Sequence, residues 1–157
     1  MRVITSLSLV ACLAAASAAA SQSGKAAIRA CEVLTRDVVA KFDTGNPKMR
    51  DLIPRDEEAI GSHGSSCHDG SILVQIDPFL NSDSYRKSPA KDWQAVSGVG
   101  DTAYFHNNRD RYAELMVWSG KHHFTIQLSV PDGRTAEAVK PNTIGIATAL
   151  IAKLKSM

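Results

Sequence analysis

Five histidines (His63, His68, His106, His122 and His123), three cysteines (Cys12, Cys31 and Cys67) and the acidic run Asp56-Glu57-Glu58 are the side chains of this chain best suited to chemistry. His63, Cys67 and His68 offer nitrogen and sulfur donors of the kind zinc takes, but a zinc site needs three or four convergent ligands, and no carboxylate-histidine pattern with that spacing accompanies them. His122 and His123 are neighbours, so if both are in a strand they point to opposite faces. Cys67-His68 has the residue types of a nucleophile and its base. Neighbours on a strand face apart, however, and a disulfide would remove the thiolate. The G-x-S-x-G elbow of serine hydrolases is absent. Asp56, Glu57 and Glu58 could supply a carboxylate for acid-base work in a small hydrolase, whereas a charged loop run is ordinarily just solvated. Gly98-Val99-Gly100-Asp101-Thr102-Ala103 fits G-x-G-x-x-A, yet a dinucleotide site needs that motif between a strand and a helix, so that the helix N-terminus meets the pyrophosphate. Here the glycines follow a loop and lead into the strand-like Ala103-Tyr104-Phe105, which reads as a turn. No catalytic residue, metal ligand or cofactor site is assigned, and a non-enzymatic role leads.

The elements that would position these residues follow from periodicity. A helix is predicted over 25–42, with Ala27, Cys31, Leu34, Val38 and Phe42 on one face, stopped by Asp43-Thr44-Gly45-Asn46-Pro47. Arg55-Asp56-Glu57-Glu58 reads as a helical turn. Asp69-Gly70 is a hairpin pair between Ser66-Cys67 and a strand over 71–76, which Pro78 ends, and 81–91 is polar and loop-like. Three more strands are predicted over 102–106, 112–118 and 123–130, the last two joined by Ser119-Gly120-Lys121. A second helix begins around Pro141, suited to a first turn, with Ile144, Ala147, Ile151 and Leu154 on its face; Gly145 weakens it by about 1 kcal/mol relative to Ala. The order predicts an α+β domain: an antiparallel sheet of four to five strands with the N- and C-terminal helices on one face. The other face would be exposed and carry Gln75, Tyr112, Glu114, Met116, Trp118, Thr125, Gln127 and Ser129. Within it Tyr112, Met116 and Trp118 form an apolar stripe, the candidate binding face, unless the loop 79–96 with Trp93 covers them.

The chain opens with Met1-Arg2 and then runs apolar over 3–20, interrupted only by Thr5, Ser6, Ser8 and Ser17. A basic start, a short apolar stretch and small residues at its end predict a secretory signal peptide over 1–20, cleaved before Ala19 or Ser21. At about 18 Ala-rich residues it is a poor fit to a permanent span. Leu9-Val10-Ala11-Cys12 has the form of a lipobox, but the apolar run continues past Cys12, so membrane association is expected only if Cys12 is lipidated. Removing 20 of the 157 residues leaves 137 in a single domain, 21–157, and lowers the net charge from +2 to +1. That balance excludes the basic excess of a nucleic-acid binder. Two cysteines then remain in an oxidising compartment, and a Cys31–Cys67 disulfide closing a loop of about 35 residues is the default.

Trp93-x-x-Val96-x-Gly98-Val99-Gly100-Asp101-x-Ala103-Tyr104 resembles a segment of a family of small bacterial exported lipoproteins of unknown function. In those, a helix bearing a Cys precedes a second Cys, this segment, further strands and a C-terminal helix. Cys31, Cys67, Trp93 and residues 98–104 match in order across most of the mature chain. The resemblance implies a PsbP-like α+β fold and no reaction; the poorly placed lipobox is a departure from the family. Ser97-Gly98 with Tyr104 bears a fainter resemblance to periplasmic lysozyme inhibitors, which are all-β barrels, unlike a chain with two helices. The expected function is an exported, non-enzymatic binding module of the bacterial cell envelope, periplasmic or secreted, without cofactor, whose partner is an envelope protein or a small ligand. The alternatives are an inhibitor or immunity protein against a cell-wall hydrolase, and a small hydrolase.

Overall fold

Alternating side chains over two consecutive stretches oblige them to pair across a tight turn, and that hairpin is the middle of the sheet. The computed structural model describes residues 28–44, 55–60, 64–77, 83–87 and 89–157. The expected signal peptide, Cys12, the start of the first predicted helix and His63 lie outside the described residues. Seven strands are present: β1 (Asp56–Ile60), β2 (Gly64–Asp69), β3 (Ile72–Ile76), β4 (Gln94–Ala95), β5 (Thr102–Asn108), β6 (Tyr112–Ser119) and β7 (His122–Ser129). They form one antiparallel sheet in the order β1-β2-β3-β7-β6-β5-β4. Two meanders, β1 to β3 and β4 to β7, thus meet along the β3–β7 seam. The class is α+β, but the sheet exceeds the four to five strands expected. β1 is formed by the acidic run taken for a helical turn: Glu57 lies opposite Cys67, and its carboxylate is held by Arg29 at 2.7 Å. β4 spans two residues, too few for a periodic signal.

The first predicted helix is two helices, α1 (Ala30–Val33) and α2 (Arg36–Phe42). Thr35 ends the continuity. Its hydroxyl accepts the N–H of Val38, the bond of a residue starting a new helix. Arg55 supports the break from the other side, donating to the carbonyls of Cys31 and Leu34 while pairing with Asp69 at the end of β2. Two longer-range observations complete the helices. Residues 83–87, expected in a polar loop, form the short helix α3 (Asp83–Lys87). The last helix, α4 (Ala136–Lys155), starts five residues before Pro141, because the Thr135 hydroxyl caps Ala138 and the Asp110 carboxylate accepts the N–H of Ala136 at 2.9 Å. Gly145 has a packing reason: a Cβ there would run into the ring of Phe42, so the residue gives up helix propensity for the close approach of α2.

Cys67, Val74, Ile126, Leu115 and Phe105 stand side by side across five strands. All five are fully buried, in one core with Val33, Leu34, Ile146 and Leu150 of the helical segments. Burying each large aliphatic or aromatic side chain contributes roughly 1.5–3 kcal/mol. Cys31 of α1 is disulfide-bonded to Cys67, and the Lys140 ammonium of α4 lies 4.4 Å over the Phe105 ring. α3 instead meets the opposite face, where Tyr104 Oη donates to the Arg86 carbonyl and Arg86 Nε donates to Thr102. The helical elements are therefore not gathered on one face. The disulfide closes a separation of 36 residues. By the chain-entropy argument, Cys31→Ser should lower unfolding free energy by about 2–4 kcal/mol. Chemical denaturation of the oxidised parent and the variant measures the difference, and equal midpoints would refute it.

Candidate functional site

The face opposite the core row was expected to be open, and it is largely closed. Trp118 is 3% exposed, with its ring edge-on to Tyr104 at 6.0 Å and stacked with His123 at 6.5 Å. Met116 is half-buried and Tyr112 is 38% exposed. Of the candidate binding face, only Tyr112 presents a large exposed surface, and Trp118 is covered by the chain itself. Glu114 and Thr125, expected in solvent, are also buried. Beside Trp118 on this face, Trp93 stacks on His106 at 5.0 Å, and Asp92 and Glu114 take the two ring nitrogens of His106 at 2.8 and 3.0 Å. Asn108 donates to the other oxygen of Glu114. A histidine with both nitrogens engaged has neither free as base or metal ligand. Trp118 itself packs against Tyr104 and His123, and its indole Nε1 has no hydrogen-bond partner among the described residues.

The Gly98–Asp101 segment serves the next hairpin. Gly100 has φ +59°, and a Cβ there would strike the carbonyl of Trp118. Asp101 N donates to that same carbonyl at 2.8 Å, and its carboxylate accepts the N–H of Gly120 in the β6–β7 turn at 2.8 Å. Val99 is buried in the core. The motif is a turn fitted against a turn, as its loop-to-strand setting predicts, with no helix N-terminus for a pyrophosphate.

A concave site lies at this same end of the sheet. Asp77 follows β3 with φ +47°, a conformation Asp tolerates better than most residues. Its N–H donates to the carbonyl of His123, and its carboxylate accepts the N–H of His123 at 3.0 Å and His122 Nδ1 at 2.8 Å. Burial pushes the Asp77 carboxyl up, but hydrogen bonds from His123 and His122 outweigh it and hold the group below its ordinary 3.8. The two histidines belong to opposite faces of β7, yet both imidazoles meet the Asp77 carboxylate, His123 Nδ1 at 3.4 Å. His123 stacks on Trp118, whereas His122 lines a cleft of about 380 Å³ with Ile28, Ser119, Lys121, Leu154, Lys155 and Met157.

Ser119 stands directly opposite His122 in the β6–β7 register. Asp77, His122 and Ser119 therefore have the residue types of an acyl-transfer triad. Among the described residues, however, no hydrogen bond joins Ser119 to His122, and the nearby Gly120 N–H is engaged by Asp101 rather than open to an oxyanion. Sequence reasoning missed Asp77, because a residue before Pro78 reads as a strand end, and missed that the two chain ends of the described fold, near Ile28 and Leu154, converge on the β6–β7 turn. Of the earlier candidates, Cys67 is in the disulfide, Glu57 is bonded to Arg29, and Glu58 is exposed on the edge strand. Among the described residues no cluster of three or more metal-ligating side chains occurs. Comparison with protein-family models, curated protein sequences and solved structures finds no match.

Two outcomes follow. Truncating a buried Trp leaves a cavity, so Trp118→Ala should destabilise the monomer by roughly 3 kcal/mol or more; a variant as stable as the parent would mean the ring is not packed as described. Asp77 has a depressed folded pKa, so its contribution is complete above the unfolded value near 3.8 and is lost as pH falls through the lower folded value. The fall in Tm on acidification from pH 6 to about pH 3 should accordingly be smaller in Asp77→Asn than in the parent. An equal fall in both would refute this linkage.

Proposed function

We propose that the mature chain is an exported, non-enzymatic binding module of the bacterial cell envelope, and that the cleft at His122 is its ligand site. The observation that carries the reading is the cleft itself: an apolar wall of Ile28, Leu154 and Met157 beside polar groups, with His122 fixed by Asp77. Small-molecule sites are concave, mostly apolar and supplied with a few oriented polar groups. A serine without a hydrogen bond to the histidine, and a His106 whose nitrogens are both engaged, favour binding over catalysis. Export is supported by the basic-then-apolar first 20 residues and by the Cys31–Cys67 disulfide, which suits an oxidising compartment. Among the described residues no helix is long and apolar enough to cross a membrane. The resemblance to small exported lipoproteins of unknown function agrees with this reading, with α1 and α4 taken as the layer over the core face of a PsbP-like sheet. Tyr112, at the opposite end of β6 from the cleft, is the part of the original binding face left to a protein partner.

Protein purified from the envelope of a producing cell, ¹⁵N-labelled and titrated with eight-carbon compounds carrying anionic, neutral or cationic heads, tests the reading. At least one head group should move amide resonances at 119–123 and 154–157 and leave those around Tyr112 in place. Shifts centred on Tyr112, or none at the cleft with any head group, would overturn the cleft as ligand site.

A further inference from the structure

We infer that the end of the sheet opposite the cleft docks an acidic segment of a protein partner, with Arg109, Arg111 and Arg134 meeting its carboxylates and Tyr112 packing beside them. The inference rests on Tyr112 being the surface left to a protein partner, adds the chemistry of that partner and does not depend on the cleft. Two loops lie side by side here. Arg109 and Arg111 stand in the β5–β6 turn, and Tyr112 opens β6. The carbonyl of Arg111 accepts the N–H of Val130, just past β7, at 3.0 Å, and the Asp110 carboxylate accepts the N–H of Ala136 at 2.9 Å. These bonds hold the 131–135 loop, which carries Arg134, against the β5–β6 turn. Arg109, Arg111, Tyr112 and Arg134 are all exposed.

None of these three guanidinium groups has a hydrogen bond or ion pair among the described residues, whereas Arg29, Arg55 and Arg86 are each bonded within the fold. A guanidinium does not lose its proton in a protein, so the three positive charges are fixed. The carboxylates around them are mostly engaged. Asp110 accepts from Ala136 and from Asn107, Glu137 faces Lys140 at 3.3 Å, and Asp43 takes the Ser71 hydroxyl. Asp69 pairs with Arg55, and Glu114, two positions along β6 from Tyr112, is buried against His106 and Asn108. Asp132 is exposed in the 131–135 loop and is the one uncommitted carboxylate set against the three arginines. The chain-terminal Met157 lies at the other end, in the lining of the cleft.

A guanidinium fork takes a carboxylate through two parallel N–H bonds. Tyr and Arg are also the side chains on which protein interfaces concentrate their binding energy. Tyr112 stands on the face away from the core, because its neighbour Ala113 is in the core, while Arg134 precedes α4 on the core side. A partner that meets both therefore sits across the end of the sheet. A membrane fits less well. Anionic bilayers hold proteins through clusters of about four to eight basic residues. Besides Tyr112, no large hydrophobic side chain is exposed at this end among the described residues to enter the acyl region. A nucleic acid would require a basic excess that a net charge of +2 does not supply.

Titration of the ¹⁵N-labelled mature protein with a ten-residue peptide of alternating Glu and Ser, and with the same peptide carrying Gln for Glu, tests the surface. The Glu peptide should move amide resonances at 107–112 and 131–135, leave those at 119–123 and 154–157 in place, and bind at least about tenfold more tightly than the Gln peptide. Arg111→Glu combined with Arg134→Glu should weaken it about tenfold or more, and Arg36→Glu, at the exposed start of α2, should leave it unchanged. Arg134→Glu alone carries the test if the double variant does not fold. Tyr112→Ala should weaken it about threefold or more. Equal binding of the two peptides would overturn the acidic chemistry while leaving Tyr112 as a docking surface. An affinity that the charge reversals leave unchanged would overturn the arginines as its recognition groups. Phosphatidylglycerol vesicles that bind through the same amides and are not displaced by the Glu peptide would assign the surface to a membrane and overturn the protein partner. No movement at 107–112 with either peptide would remove both the inference and docking at Tyr112.

Discussion

The attachment of α1 to β2 governs the amino-terminal part of this fold. A helix of four residues has no stability of its own, because nucleation fixes several residues for a single hydrogen bond. Here the turn is held from three directions. The disulfide ties Cys31 to Cys67, Glu57 grips Arg29, and Ser65 accepts the N–H of Ala30 while donating to the carbonyl of Ile28. Arg55 then satisfies carbonyls the short helix leaves open. The same contacts position Ile28, which walls the cleft, so the covalent link on the core side and the candidate site at the sheet end are mechanically one arrangement.

The sequence was most legible where one side chain in two is apolar over a full strand. Leu115 and Val117 on β6, and Phe124, Ile126 and Leu128 on β7, face the core as their alternation predicts, and the Asp69-Gly70 and Gly120 turns fall where the turn residues stand. Legibility failed where a partner distant in sequence decided the outcome. Asp56-Glu57-Glu58 carries no apolar period, and only pairing with β2 makes it a strand. The stripe through Cys31, Leu34, Val38 and Phe42 has helical spacing, yet Thr35 and Arg55 break it. In the same way, Pro141 looks like a helix start until Thr135 and Asp110 are seen to cap the helix earlier.

The candidate site was less legible than the fold. The divergence of His122 from His123 was readable from strand geometry alone, but not their shared partner, since Asp77 meets them only because β3 and β7 are neighbours across 45 intervening positions. The expected stripe of Tyr112, Met116 and Trp118 did share a face. The loop carrying Trp93 was named as a possible cover, but not its partners: β4 pairing with β5 brings Trp93 and Asp92 onto His106, in the polar row beside the stripe. Period-two reasoning assigns a side chain to a face and leaves open what lies on top of that face.

The two rims of the sheet remain, since an antiparallel sheet that does not close on itself ends in unpaired backbone. One rim is β4, a mere two residues; the other is β1, whose successive side chains Asp56, Glu57 and Glu58 are all acidic. A two-residue rim offers an incoming strand almost no length to zip onto, and an acidic rim repels a second copy of itself. The run that looked at first like a supply of catalytic carboxylates thereby gives this rim, among the described residues, exposed charge at Asp56 and Glu58 that disfavours pairing with a like rim.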